Sequence, residues 1–534
     1  MKRILLSAES SLLNTGYGTM TMEIARRLHA RGYAVAELAS YLSEDDPRLG
    51  QIPWKVYPVR PAQSNQEATR QYNADPYNQF GKAIFERAVL DFKADVCIGW
   101  RDAWYEQHIT ISPLRRFFRF LYMPTCDSTP QKAEWVGQFA NADALFSYTD
   151  WAREVLEGYG LNVLSSTPPG VDHQAFRPMD RNGLRAECRI PDRALVVGFV
   201  ARNQPRKRFP ELARAFSRFL RTAPEDLAER VYLYWHTAWP DLGWDIPGLL
   251  HEFGISSRVL FTYVCRNCKT LVPSLWSDAV RPCPNCGRMD AVLPGTGAGL
   301  SHADMAKVYN LMDLYVQYSN SEGLGMSLPE AASCGVSVMA ADYSGMACVV
   351  RKLGGVPLKV AAFYREPELG LDKAIPDEED FCQKLTDFLR KPEPVRRMLG
   401  GRARDAAVRH YDWDALVENW VRAIEGMPPA APYDEPPTYH MPQPLQEGLS
   451  NADFVRQGLT RVAGRPDLVD SWYAQRLLRE LNWGATLTGS PHWLRDDSWM
   501  GRHQEVREVN RDVLLQVFRN LNQERNFWEQ ERTR

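Results

Sequence analysis

The sequence predicts an α/β protein with two doubly wound, Rossmann-like domains in tandem. Three observations support this prediction. The 534 residues exceed the roughly 100 to 200 residues of one domain, so two or three domains are expected. Short apolar segments alternate with helix-period segments up to about residue 426, which is typical of parallel sheets covered by helices. With 44% hydrophobic and 24% charged residues, the composition excludes a disordered chain.

Charge and hydropathy limit the kinds of protein that the sequence can encode. Lys and Arg number 64 against 66 Asp and Glu, which excludes a global basic field but leaves a local basic patch open. The sequence has no run of about 20 apolar residues that would span a bilayer. Glu9 interrupts the apolar start, which favours a first β-strand over a signal peptide, and six scattered cysteines suit a reducing compartment. We predict a cytoplasmic protein, in the host cytoplasm if the chain is viral.

Residues 1–178 are predicted to form the first domain. It opens with a β-α-β unit: a strand at 4–7, a turn that contains Gly16 and Gly18, a helix at about 20–29 and a strand near Val35. Further strands are predicted at 94–98, 118–123 and 144–148, and helices at 81–92 and 151–159. The segment 51–77 is rich in Pro, Gln and Asn and is predicted to be a long loop or insertion.

Residues 179–426 are predicted to repeat this architecture. The predicted strands are 195–200, 231–235, 259–263, 314–318 and 336–340, and the predicted helices are 210–219, 304–312, 327–333 and 414–425. Two doubly wound domains in tandem imply a cleft between them, at the carboxyl ends of the strands where such folds bind ligands.

Two segments follow the second domain. Residues 427–447 contain seven prolines and are predicted to be a stiff, extended linker. Residues 448–534 are predicted to be a helical appendage rich in Arg and Trp. Its tryptophans are expected to anchor a small core or to dock on the main body, and a ligand-stacking surface is the alternative.

A glycine-containing stretch from Ser319 to Glu330 leaves a predicted strand and enters a predicted helix. Its glycines let backbone amides approach a ligand, and the helix start favours an anion such as a diphosphate. Glu322 and Glu330, eight positions apart, are carboxylates that can accept hydrogen bonds from vicinal hydroxyls. The alternative is a solvated Glu322 and a Glu330 that serves as a first-turn helix charge.

A second cluster follows the strand 195–200. This strand delivers Arg202 and Lys207, five positions apart, to a loop that opens a helix. Two cations there are suited to neutralising a diphosphate leaving group, Arg by its fork and Lys as a point charge. A solvated basic loop is the alternative.

Together these stretches resemble glycosyltransferase family 4, the retaining enzymes of GT-B fold. The resemblance covers roughly residues 1–426 and includes the segments 14–18, 122–127, 168–172 and 301–312. Its most specific part is Glu-Gly-Leu-Gly with a second glutamate eight positions after the first.

The resemblance implies a nucleotide-sugar donor held by the second domain, an acceptor presented by the first, and EC 2.4 chemistry without a catalytic metal. The donor-binding set that it implies is Gly16, Gly18, Arg202, Lys207, Glu322, Gly323, Leu324, Gly325, Met326 and Glu330. Of these, Arg202 and Lys207 are assigned to the diphosphate and Glu330 to the ribose. The predicted catalytic residues are Glu322, Arg202, Lys207 and Asp127, which occupies a position where the family commonly has a polar residue near the sugar.

Four cysteines form two Cys-x-x-Cys pairs, Cys265 with Cys268 and Cys283 with Cys286, separated by 14 residues. Two tight turns of this kind can direct four thiolates at one tetrahedral ion, so residues 264–290 are predicted to be an inserted ribbon with structural zinc. The ribbon is expected either to stabilise the fold or to bind a nucleic acid or another polymer, with Trp276 stacking on a base or packing the ribbon. Zinc loss is expected to loosen the ribbon and to spare donor binding.

The predicted function is retaining transfer of a sugar from a nucleotide sugar to a hydroxyl. The acceptor is either a hydroxymethylated pyrimidine in DNA, by analogy with viral DNA-modifying transferases, or a carbohydrate or lipid-linked glycoconjugate. A sugar-nucleotide-binding protein without turnover is the alternative from another class. The motif Asp412-Trp413-Asp414 imitates a metal-binding Asp-x-Asp sequence, but its position just before a helix favours helix capping.

Overall fold

The computed structural model describes residues 2–13, 15–112, 114–277, 280–295 and 299–433, together with residues 448 and 457. The predicted appendage, except for those two residues, and the predicted linker beyond residue 433 lie outside the described residues. Within the described ranges, no helix combines the length and the apolar character that crossing a membrane requires.

Eighteen strands and sixteen α-helices make up the described part of the chain. The strands are β1 (Arg3–Glu9), β2 (Ala34–Ser43), β3 (Lys55–Arg60), β4 (Val96–Gly99), β5 (Arg119–Tyr122), β6 (Ala144–Ser147), β7 (Val163–Ser166), β8 (Leu195–Val200), β9 (Val231–His236), β10 (Val259–Cys265), β11 (Leu271–Leu275), β12 (Val280–Pro282), β13 (Met289–Val292), β14 (Leu314–Gln317), β15 (Ser337–Ala341), β16 (Val356–Leu358), β17 (Val360–Arg365) and β18 (Asp372–Pro376). The helices are α1 (Gly16–Ala30), α2 (Gln66–Ala74), α3 (Phe85–Phe92), α4 (Ala103–Thr110), α5 (Ala133–Ala140), α6 (Asp150–Gly158), α7 (Arg181–Glu187), α8 (Phe209–Thr222), α9 (Glu225–Ala228), α10 (Ile246–Glu252), α11 (His302–Asn310), α12 (Ser327–Ser333), α13 (Ser344–Lys352), α14 (Glu378–Leu389), α15 (Glu393–His410) and α16 (Trp413–Gly426).

Two large sheets share one strand order. The first is entirely parallel and runs β3-β2-β1-β4-β5-β6-β7. The second has the parallel core β10-β9-β8-β14-β15-β16. Each sheet therefore follows the 3-2-1-4-5-6 order of a doubly wound fold, which places ligands outside the carboxyl ends of its strands. The predicted α/β class with two Rossmann-like sheets is confirmed.

The segment 51–77 corrects the sequence prediction, because it is not a long loop. It contains β3, at the edge of the first sheet, and α2. An edge strand tolerates Pro58 because one side of it has no ladder to complete. The Asn65 side chain accepts a hydrogen bond from the Ala68 amide at 3.1 Å and so caps α2. Pro and Asn, which suggested a loop, here mark an edge and a helix start.

The last helix returns to the first sheet. Trp420 of α16 is fully buried, with its ring centroid 4.8 Å from that of Phe146 and 6.0 Å from that of Trp100. The Asp412 side chain accepts from the Ala415 amide at 2.9 Å, so the predicted helix cap is confirmed. The domain limits remain a prediction, but α16 contributes to the core beneath the first sheet.

Candidate active site

The candidate site begins where two neighbouring strands of the second sheet end. β8 and β14 are parallel and paired, so the loops that follow them, 201–208 and 318–326, leave the same edge of the sheet. Gly198 allows this pairing to pack on the sulfur of Met312, which lies 2.0 Å from where a Cβ would stand. The two motifs singled out in the sequence are therefore adjacent in space.

The Glu322 carboxylate is the centre of this cluster. It pairs with the Lys207 ammonium and the Arg206 guanidinium, and it is only 6% exposed. It also accepts hydrogen bonds from Gln317 Nε2 at 2.9 Å and from Ser319 Oγ at 2.6 Å. Glu322 is thus not the solvated loop residue of the alternative interpretation.

The charges of the cluster determine its protonation. Burial alone would raise the pKa of Glu322, but the charges of Arg206 and Lys207 outweigh it and lower the pKa to about 2. Burial and the neighbouring Arg206 charge lower the pKa of Lys207 to about 8, although Glu322 favours its charged form. At neutral pH the carboxylate is ionised and the ammonium is charged.

Backbone geometry and the start of α13 fix the conformation of the 322–326 loop. Gly325 has φ +82°, a left-handed conformation that favours glycine. The start of α13 packs directly on this loop: the Gly345 amide donates to the Glu322 carbonyl at 3.0 Å, and a Cβ on Gly345 would lie 2.2 Å from the Gly323 carbonyl oxygen. The Ser344 hydroxyl accepts from the Glu322 amide at 3.0 Å. These contacts with α13 fix one side of the loop. Leu324 is buried, and Met326 directly precedes α12.

Glu330 lies one turn inside α12. Its Oε2 accepts a hydrogen bond from the Tyr309 hydroxyl of α11 at 2.7 Å. Burial raises the pKa of Glu330 to about 7. Glu322 and Glu330 therefore differ in environment, since one is surrounded by cations and the other is paired with a neutral phenol.

Arg202 is not grouped with Lys207 in the way the sequence suggested. Its Nε and Nη2 donate to the two carboxylate oxygens of Asp241 at 3.0 and 3.1 Å, and its side chain is 44% exposed. The cation beside Lys207 on Glu322 is Arg206. Sequence reasoning missed Arg206 because three consecutive basic residues, 206–208, offer no signal for which one faces the carboxylate.

The first domain reaches the site through Asp127 and Thr125, in the loop after β5. Asp127 Oδ2 accepts from the Ser321 hydroxyl at 2.9 Å and lies 3.3 Å from the buried Lys373 ammonium. The Thr125 hydroxyl lies 2.8 Å from that of Tyr17, and its methyl group lies 3.1 Å from where a Gly323 Cβ would stand. The predicted Asp127 thus contacts the loop that carries Glu322.

The glycines of α1 stand beside this bridge. The Gly18 amide donates to the Thr15 hydroxyl at 3.0 Å, which caps α1, and a Cβ on Gly18 would lie 2.4 Å from the Leu13 carbonyl oxygen. Gly16 begins the helix, and among the described residues no atom counted as a neighbour lies within 4 Å of where its Cβ would stand. Tyr17, between the two glycines, makes the contact with Thr125 that joins the helix start to the site.

A second sequence-predicted set, the four cysteines, also comes together. The sulfurs of Cys265, Cys268, Cys283 and Cys286 all lie within 4.8 Å of one another. Two pairs, Cys265 with Cys286 and Cys268 with Cys283, are 3.6 Å apart. Four thiolates at about 2.3 Å from a tetrahedral zinc ion are about 3.8 Å apart, so this set fits structural zinc.

The strands of the insertion extend the second sheet. β11 and β13 pair antiparallel with β10, on either side of it, and β12 pairs with β13. The Trp276 ring packs against Phe261 at 5.2 Å between centroids and against Trp239 at 5.3 Å. Of the two alternatives for Trp276, packing rather than base stacking is what the structure shows.

Comparison with known proteins agrees with this geometry. Residues 298–404 match the family described as glycosyl transferases group 1. A D-inositol 3-phosphate glycosyltransferase from Geodermatophilus obscurus is 26% identical over 76% of this chain and 84% of its own length. One from Mycobacterium bovis is 30% identical over 53% of this chain and 49% of its own length.

Solved structures share the fold at low sequence identity. Sucrose-phosphate synthase from Thermosynechococcus elongatus has a TM-score of 0.55 at 15% identity, over 80% of this chain and 98% of that one. Anabaena HepE in complex with UDP and glucose has a TM-score of 0.54 at 15% identity, over 80% of this chain and 100% of that one. The group 1 domain, the curated relatives and the GT-B fold together identify the chain as a glycosyltransferase.

Proposed function

We propose that the chain is a retaining glycosyltransferase of family 4, which transfers a sugar from a nucleoside-diphosphate sugar to a hydroxyl acceptor. The observation that carries the proposal is the cluster of Glu322, Lys207 and Arg206 beside the glycine loop that opens α12. Such a cluster supplies fixed positive charge next to the backbone amides of a glycine-containing loop, which suits a diphosphate. A UDP complex of a structural neighbour supports the same donor class.

The reaction requires stabilisation of a leaving group. The bond between the anomeric carbon and the β-phosphate oxygen breaks, and the acceptor oxygen bonds to the same face of that carbon. The acceptor proton passes to the departing phosphate. The positive charges of Lys207 and Arg206 stabilise the diphosphate as its charge develops, and preorganised charge of this kind is a large catalytic contribution. Arg202, at the same edge, is the third cation of the proposed site.

Glu322 acts in this proposal as the anchor of the cations. Because Lys207 is buried, its charged form depends on the nearby carboxylate. The Arg206 side chain pairs with Glu322 and is still 40% exposed, so it remains accessible to a ligand. Glu330 is proposed to accept the ribose hydroxyls, and Asp127 to contact the sugar or the acceptor.

The four-cysteine ribbon is proposed to bind one structural zinc ion. Four sulfur ligands leave no coordination position for substrate, so the ion would supply folding energy and no chemistry of transfer.

Two acceptor classes follow from the sequence, hydroxymethylated pyrimidines in DNA and carbohydrate or lipid-linked glycoconjugates. One support for DNA is weakened, because the Trp276 ring packs against Trp239 and Phe261. The curated relatives are named for a phosphorylated polyol, which supports a small polyhydroxylated acceptor. We therefore favour a sugar or polyol hydroxyl.

The experiment is a donor screen followed by transfer. Thermal shift with UDP, GDP, ADP and CDP should show stabilisation by at least one diphosphate, since a bound ligand raises stability with saturation. The labelled nucleotide sugars of that base are then incubated with D-inositol 3-phosphate, with simple glycans and with hydroxymethylated duplex DNA. Transfer to the small acceptors is expected. Diphosphate binding without transfer or donor hydrolysis would instead favour a binding protein without turnover, and transfer to DNA alone would reverse our choice of acceptor.

A further inference from the structure

The ribbon begins at the edge of the second sheet where the donor loops lie. β8, β9 and β10 are parallel neighbours, so their carboxyl ends share one edge. The last residue of β10 is Cys265, which is the first of the four cysteines, and the turn after β8 carries Arg202. The insertion therefore starts on the ligand side of the sheet and not at its remote end.

One side chain of the ribbon leaves it to contact the neighbouring loop. Trp276, which follows β11, meets the Trp239 ring edge to face, with an interplanar angle of 88°. Trp239 belongs to residues 237–245, which connect β9 to α10 and are called here the Asp241 loop. Edge-to-face aromatic pairs are specific in geometry, so this contact orients the loop as well as covering it.

The Asp241 loop is in turn clamped to the turn that carries Arg202. The Asn203 side chain donates to the Trp244 carbonyl at 2.8 Å and accepts from the Trp244 amide at 2.8 Å, and Asn203 is fully buried. Gly243 lies so close that a Cβ would stand 2.3 Å from the Asn203 side-chain oxygen. Asp241 then fixes the Arg202 guanidinium with two hydrogen bonds.

We propose that the four-cysteine ribbon is a positioning element of the donor site. With zinc bound, it holds Trp276 against Trp239, fixes the Asp241 loop and thereby orients Arg202 towards the donor diphosphate. This inference rests on the proposed function, and it reverses the expectation from the sequence that zinc loss spares donor binding. The proposed coupling runs from the Trp276–Trp239 ring contact along the backbone of the Asp241 loop to the hydrogen bonds of Trp244 with Asn203 and of Asp241 with Arg202.

The test removes the Trp276 contact and measures donor binding. Trp276→Ala is expected to weaken binding of the best diphosphate from the screen, measured by calorimetry, by about five- to tenfold, which is the scale of one aromatic pair. The donor KM should rise by a similar factor, while the acceptor KM changes by less than about twofold. Trp276→Phe, which keeps a ring, should restore most of the affinity.

The matched control lies on the same ribbon but away from this contact. Met289 on β13 is 64% exposed, and Met289→Ser should leave diphosphate affinity unchanged. If Trp276→Ala does not yield folded protein, Trp239→Phe and Trp276→Leu probe the contact with less loss of volume. Wild-type affinity in folded Trp276→Ala or Trp276→Leu, or a loss in Met289→Ser equal to that of these variants, would overturn the inference.

Metal removal tests the same path independently of activity. Chelation of the purified chain, with zinc content and circular dichroism followed together, should raise the diphosphate Kd to about the value of Trp276→Ala. Chelating Trp276→Ala should then add little further loss, because both changes release the same loop. If the chelated wild type bound diphosphate as tightly as the zinc-loaded chain, this inference would be wrong, whereas the proposed function would stand. A wild type that binds none of the four diphosphates would defeat the proposed function as well.

Discussion

The two sheets have the same strand order, but the side chains at the carboxyl ends of their strands differ in charge. We call these ends the cationic edge in the second sheet and the acidic edge in the first. The second sheet presents glycines and cations, Arg206 and Lys207, arranged on a buried glutamate. The first presents carboxylates and phenols, of which Asp127 and Tyr17 make polar contacts there. One topology thus provides one edge suited to a diphosphate and another suited to hydroxyl groups. The shared topology therefore does not determine which ligand each edge suits, because the two units differ in the loops that follow the strands and not in the order of the strands.

The strongest way to break this contrast is to remove the charge at the centre of the cationic edge. Glu322→Gln leaves Lys207 and Arg206 without their counter-charge. We expect a loss of about 3 kcal/mol in the free energy of unfolding, near the lower bound for breaking a buried pair because Arg206 is partly exposed. Transfer should fall by at least about 100-fold as the cations lose their positions. Urea denaturation and steady-state kinetics measure both effects.

The control for this variant is Glu379→Gln. Glu379 is 82% exposed and its nearest cation, Arg218, lies 3.6 Å away, so its loss should change stability by less than about 0.5 kcal/mol. If Glu322→Gln proved as mild as Glu379→Gln, the central role given to Glu322 would be wrong.

Asp127→Asn tests the acidic edge and should have a smaller effect. Asparagine keeps the hydrogen bond from Ser321 but removes the charge that faces Lys373. The acceptor kcat/KM is expected to drop about tenfold, whereas the diphosphate Kd should change by less than about twofold. Asp91→Asn is the matched control, because Asp91 lies near the end of α3 with its side chain 51% exposed and also pairs with a lysine, Lys55. If Asp127→Asn lowered only the affinity for the donor, the assignment of Asp127 to the acceptor side of the site would be wrong.

The smallest expected effect concerns pH. The pKa of Lys207 is lowered to about 8, so the ammonium is charged below that pH and loses its proton above it. Diphosphate affinity should therefore fall about three- to tenfold between pH 7.5 and 9, which lies above the pKa of about 7 at which Glu330 changes charge. Calorimetric titration across this range provides the measurement. An affinity that stayed constant to pH 9 would show that the Lys207 charge does not contribute to binding.

Much of this organisation could be predicted from the sequence, because it is local. The strand 195–200 and the helix 327–333 were predicted with the bounds of β8 and α12. The four cysteines come together as their two Cys-x-x-Cys pairs predict, because each pair forms one tight turn. Motif, turn and strand end are close in sequence in each of these cases, so short-range rules are sufficient.

What could not be predicted depends on long-range packing. Arg206 rather than Arg202 meets Glu322 because residues 205–207 form a single 3₁₀ turn and Arg208 has φ +52°, neither of which the residue types indicate. Trp276 faces inward because Trp239, 37 positions earlier, lies beside it. The Arg202–Asp241 pair spans 39 positions and has no motif.

The return of α16 to the first sheet has a practical consequence for dividing the protein. Trp420 packs against Trp100 and Phe146. The Val171 amide donates to the Tyr411 carbonyl at 2.8 Å, so the chain that leaves the first sheet lies beside the chain that returns to it. A fragment that ended near residue 178 would expose the apolar surface that α16 covers and should aggregate. We therefore expect the first Rossmann unit to consist of two separate segments of the sequence, residues 1–178 and α16, so an exchange of this unit between enzymes would have to transfer both.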